Sequence, residues 1–149
     1  MQEINRQKSR DSAALTFLTQ AMSADEITSC IGVQPDSYAN AGESVRHLYG
    51  KVFKTGSRSW SDWSRIFDVQ KVHDDENDTD HYQIEQRVLE IIALCEPHQT
   101  LIEKIMQNGG RAGIQIRLDG THNIGDSFEA ETLRRLATLG MYLSIEVFP

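Results

Sequence analysis

The densest run of groups able to do chemistry is His73-Asp74-Asp75-Glu76-Asn77-Asp78-Thr79-Asp80-His81. Carboxylates at alternate positions are the pattern that wraps a hard cation such as calcium. With Asp74 in the first place, Glu76 and Asp78 fall third and fifth and Glu85 falls twelfth. The sixth place, where such a loop needs glycine for its sharp turn, holds Thr79. A solvated loop whose carboxylates favour the positive end of the following helix accounts for the same residues. The expectation is therefore no metal site, with Asp74, Asp75 and Asp78 as exposed charge able to meet a basic partner.

The other reactive side chains are dispersed. His47, His73, His81, His98 and His122 include no pair at the close helical spacing of zinc proteases. Serine-histidine-aspartate sites assemble from distant positions, and no local motif marks one here. Gly109, Gly110 and Gly113 follow a helical pattern and precede a strand pattern, the reverse of the order that aims a helix N-terminus at phosphate. Cys30 and Cys95 each fall among apolar residues at helical spacing and read as buried free thiols. Trp60 and Trp63, near Arg58 and Arg65, are either hairpin core or, where exposed, aromatic anchors for a partner. No catalytic residue and no cofactor is expected.

These residues sit on a pattern that alternates between periods of two and 3.6. Ala112, Ile114, Ile116 and Leu118 alternate with Gly113, Gln115, Arg117 and Asp119, and Leu143, Ile145 and Val147 alternate with Ser144, Glu146 and Phe148. Both read as strands with one buried face, which places Leu143 and Ile145 inward. Between them, Phe128, Leu133, Leu136 and Ala137 form an amphipathic helix, with Asp126 and Glu129 spaced as a capping box. Earlier, Leu15 and Phe17 mark a strand, and Ser23 with Glu26 starts a helix carrying Ile27, Cys30 and Ile31 that Gly32 closes. Residues 34–43 read as loop, 44–53 as a bulged strand, 54–59 as a turn and 60–69 as the partner strand of a hairpin. A long apolar helix from Ile84 to Cys95 then kinks at Pro97 and continues through Leu101, Ile102 and Ile105.

The resulting order, β-α-β-β-α-α-β-α-β, fits an α+β fold: a mixed sheet of about five strands with helices packed mainly on one face. A ferredoxin-like arrangement with an added helix and strand is contained in it. The 149 residues suit one domain over residues 13–149, preceded by a flexible polar arm over residues 1–12. With 39% hydrophobic and 25% charged residues the composition is that of an ordinary soluble protein, and no apolar run is long enough to span a bilayer. The N-terminus has no apolar segment of signal-peptide type, so a cytoplasmic location is expected. A formal charge of -7 opposes binding to nucleic-acid phosphate and suits a basic protein partner.

Several landmarks fall in an order that resembles a bacterial family known as domain of unknown function 4279. They are Ala24-Asp25-Glu26-Ile27-Thr28 with Gly32 and Pro35, Gly42-Glu43, Trp60 with Ser64, and Leu136-Ala137-Thr138-Leu139-Gly140 leading into the last strand. The resemblance implies a small cytoplasmic bacterial α+β protein and carries over no active site. Small acidic families of this type look similar to immunity proteins that neutralise toxins. The expected function is thus a non-enzymatic protein-binding module, immunity-like, that binds a basic toxin or effector. The alternative is a small-ligand sensor or enzyme with a pocket between sheet and helices, using His47 and residues 34–43.

Overall fold

In the computed structural model, residues 11–42, 45–47, 52–53, 60–120 and 124–149 are described. Strand β1 (Ser12–Thr19) is an interior strand, paired along both edges. It runs antiparallel to β5 (Ser61–Asp68) on one side and to β8 (Arg111–Asp119) on the other. Strands β2 (Ser37–Ala39), β3 (Val45–His47) and β4 (Val52–Phe53) extend the β5 edge, and β9 (Tyr142–Phe148) adds to β8 in parallel. The sheet order is β4-β3-β2-β5-β1-β8-β9. A separate two-stranded sheet is made by β6 (Lys71–Asp74) and β7 (Thr79–Tyr82).

The α+β class expected from the pattern is the one that forms, with the sheet lengthened at one edge by three short strands. Two details of connectivity differ. The expected hairpin between residues 44–53 and 60–69 is not made, because β5 pairs with β1 and β2 while β3 pairs with β2 and β4. The ferredoxin-like arrangement would separate the two strands of each β-α-β unit by another strand. Here β8 and β9 are direct neighbours. Residues 1–10 of the expected arm and the expected turn at 54–59 lie outside the described residues. Asp11 and Ser12 are buried, and Ser12 already belongs to β1.

Alternation along β1 sends Ala13, Leu15, Phe17 and Thr19 to one face, where β8 adds Ala112, Ile114 and Ile116 in register. Against that face lie α1 (Ala24–Ile31), α2 (Ile84–Cys95), α3 (Gln99–Gln107) and α4 (Ala130–Thr138), whose inward residues join the sheet in one core cluster. Helix α1 begins as the sequence predicts. The Ser23 hydroxyl accepts the Glu26 N–H, the Glu26 carboxylate accepts the Ser23 N–H, and Gly32 closes the helix at φ 81°. Pro97 sits in a single 3-10 turn, Glu96–His98, that bends α2 into α3. The capping box expected at Asp126 and Glu129 is replaced by an exchange between helices. Asp126 accepts the Glu85 N–H at the start of α2, and Glu85 accepts the Glu129 N–H at the start of α4.

Strand β9 departs furthest from expectation. Its register with β8 pairs Ile116 with Ile145 and Leu118 with Val147, so these side chains do point to the helix side. Yet Ile145 is 56% and Val147 62% exposed, and Leu143 is only half-buried. Helices α2 and α3 lie over β1 and β8, so the edge strand runs beyond their cover.

On the opposite face, the Tyr142 ring lies across Gly113, where an added Cβ would stand 2.4 Å from the ring. The Tyr142 hydroxyl is 2.6 Å from Thr16 Oγ1, and the Arg111 guanidinium stacks 4.5 Å from the ring centre. Gly113→Val is expected to lift the ring and break this contact across three strands, lowering stability by about 1–3 kcal/mol. Urea denaturation measures it, and an unchanged midpoint would show that the ring moves without loss.

Candidate functional site

The acidic run is a hairpin, not an open loop. Lys71 and Tyr82, Val72 and His81, His73 and Asp80, and Asp74 and Thr79 face each other across β6 and β7. The turn is held from inside: the Asp74 carboxylate accepts the N–H groups of Glu76 and Asn77 and the Asn77 side-chain amide. Asp78 closes it at φ 50°, a left-handed geometry that aspartate tolerates better than most residues. The Asn77 amide holds the Asp74 carboxyl below its ordinary value, and the hydrogen bond from Lys71, with that from His73, does the same for Asp80.

The His73 ring is the hub of the tip. Its Nδ1 is 2.9 Å from Asp80, and its Nε2 is 3.5 Å from Asp75 and 3.6 Å from Asp78. From β7 His81 approaches Asp74 at 3.7 Å, and from β6 Lys71 bonds Asp80 at 2.7 Å. Asp75 and Asp78 point away from the fold, with side chains 96% and 97% exposed. Among the described residues, no three histidine, cysteine or carboxylate groups converge in a way that holds a metal ion. What this arrangement offers chemically is a rigid turn that displays negative charge.

The two tryptophans separate. Trp63 is 1% exposed, packs against Phe17 with ring centres 5.5 Å apart, and donates its indole N–H to Thr28 Oγ1 at 2.9 Å. As core it is unavailable as a partner anchor, because the alternation of β5 turns it toward α1. Trp60, just before β5, is half-buried. The cysteines separate as well. Cys95 is buried and burial pushes its thiol up to about 12, whereas Cys30, expected to be buried, is exposed. Ile27 and Ile31 set the inward line of α1 and leave Cys30 beside it.

Cys30 borders a groove of about 650 Å³ between α1 and α3, with Met22, Leu101 and His98 on its walls. It lies between helices, not between sheet and helices, and residues 34–43 do not line it. His47, the other residue expected there, has a side chain outside the described set.

A family model for a domain of unknown function, DUF4279, matches residues 7–148, nearly the whole chain. The chain belongs to that family. No curated protein and no solved structure matches it. Membership in DUF4279 assigns no reaction and no binding residues, so the site in this DUF4279 chain rests on its own geometry. Among the described residues, no helix is long and apolar enough to cross a membrane. The surface that sequence reasoning missed in this DUF4279 chain is the β9 edge: Ile145 and Val147 are large, apolar and exposed on the helix side, and Phe148, on the other face beside the Arg117 guanidinium, is 48% exposed. Strict alternation signalled a strand there, but it carries no signal of where the helix layer ends.

Proposed function

We propose that this DUF4279 chain is a non-enzymatic protein-binding module, immunity-like in mode, that binds and neutralises a basic toxin or effector in the bacterial cytoplasm. The observation that carries the reading is the β6–β7 hairpin, a separate two-stranded sheet whose turn is braced by Asp74 and whose Asp75 and Asp78 face solvent. A braced acidic turn on a chain of charge -7 attracts a positive surface over long range and speeds encounter. Exposed Val72 on β6 adds apolar contact area beside the charges.

The test uses a tagged chain to isolate the partner, followed by surface-binding kinetics at several salt concentrations. Asp74 braces the turn, so the informative substitutions are Asp75→Asn, Glu76→Gln and Asp78→Asn together. They are expected to slow association roughly tenfold at low salt and flatten its salt dependence, with dissociation little changed. An association rate that does not respond would sink the acidic hairpin as the recognition element.

The second reading, a small-ligand sensor, has the groove between α1 and α3 in its favour. Its volume falls within the range of small-molecule pockets, and its walls mix apolar side chains with Asp25, Lys104 and His98. A ligand-dependent rise in melting temperature abolished by Leu101→Trp would favour it.

A further inference from the structure

We infer that the outer edge of β9 is a self-association surface, on which a second copy of this chain pairs its own β9 antiparallel about a two-fold axis at Ile145. The inference is independent of the acidic hairpin. The Phe148 carbonyl accepts the Gly120 N–H at 2.6 Å, which turns the backbone groups of Phe148 toward β8. Because these groups alternate along a strand, those of Leu143, Ile145 and Val147 point outward. Among the described residues, no strand pairs with them on that side.

Edge strands are ordinarily guarded by lysine, proline, a bulge or an inward charge. From Tyr142 to Phe148 there is no lysine or proline, and the pairing with β8 runs through every residue without a bulge. The single charge, Glu146, is engaged by Arg117 of the same chain at 3.4 Å.

The order of side chains says which partner fits. Tyr142-Leu143-Ser144-Ile145-Glu146-Val147-Phe148 reads aromatic, aliphatic, polar, aliphatic, polar, aliphatic, aromatic in both directions. A two-fold axis at Ile145 sets Tyr142 against Phe148 of the second copy, Leu143 against its Val147, Ser144 against its Glu146, and Ile145 against Ile145. Like meets like in size and polarity, no two charges of one sign face each other, and the exposed Ile145 and Val147 gain apolar neighbours on the helix side while Phe148 gains one on the other face. Moving the axis to Glu146 would oppose two carboxylates, and moving it to Ser144 would set Glu146 against Tyr142, so the axis at Ile145 is the one that keeps the match in size and polarity. Ile145 becomes a pair that exchanges both backbone hydrogen bonds with its mate.

Sedimentation of the full chain at micromolar concentration is expected to show a reversible dimer. Ile145→Lys, at a site exposed in the single chain, is expected to weaken it at least about 100-fold by opposing two ammonium groups and removing the central apolar pair. Ile145→Glu should do the same alone, and mixing the two variants should restore the dimer, an outcome peculiar to an axis at this residue. Independently of any loss of folding, Ile145→Cys in a Cys30→Ser background should cross-link to itself under mild oxidation. Facing Cα atoms about 5.5 Å apart lie within disulfide reach. A wild-type chain that stays monomeric, a dimer indifferent to Ile145→Lys, variants that fail to complement, or an absent cross-link would each overturn the inference.

Discussion

Replacing Trp63 by alanine is expected to lower stability by about 3–5 kcal/mol, a large share of the roughly 5–15 kcal/mol that holds a domain together. Trp63 is among the largest fully buried side chains, and its removal opens a cavity beside Phe17 that β1 and α1 cannot close without moving the centre of the sheet. It also deletes the indole N–H bond to Thr28, which ties β5 to α1. Trp63→Phe keeps much of the ring contact and loses that bond, so it should cost distinctly less. Urea denaturation followed by far-ultraviolet circular dichroism measures both, and a loss below about 1 kcal/mol for the alanine variant would contradict the core position. Weakened partner binding by Trp63→Ala would accordingly reflect lost stability or a disturbed core, since the side chain is buried.

The second large effect comes from comparing two isoleucines that face each other in the sheet. Ile116→Ala is expected to cost about 2–5 kcal/mol, because Ile116 is buried beneath the helix layer. Ile145→Ala, on the neighbouring strand and the same face, should stay within about 0.5 kcal/mol when measured on dilute single chains. Residue type, strand position and face are shared, so the difference isolates the contribution of helix cover. Equal losses at the two positions would mean that β9 is packed by something more than β8.

That pair also shows how far the sequence was legible. Structure is legible in the sequence where the physics is local. The Ser23 and Glu26 cap, the αL residue Gly32, the bend at Pro97 and the strands at Ile114 and Ile145 all follow from side chains a few residues apart. What was not legible depends on which element lies over which. The exposure of Ile145 and Cys30 is set by where neighbouring helices end, and the partner of β5 is chosen by sheet order. The Asp126–Glu129 spacing suggested a self-contained cap, but Glu85, more than forty residues away in sequence, takes one side of it. The acidic run was legible as exposed charge and not as a hairpin, because the Asp74 bonds that brace its turn are invisible in composition.

The place of β1 between β5 and β8 bears on how the chain is made. Thr16 of β1 and Gly113 of β8 meet across 97 residues of sequence. Made before both of its partners, β1 can pair with β5 early but must wait for α2, α3 and β8 before its other edge closes. Until α2 and α3 appear, Leu15 and Phe17 are covered from the helix side by α1 alone. The long closure is entropically costly and comes late, so the half-built sheet is the species with most apolar surface and an open strand edge. The nascent chain is therefore most dependent on chaperone protection between completion of β5 and release of β8.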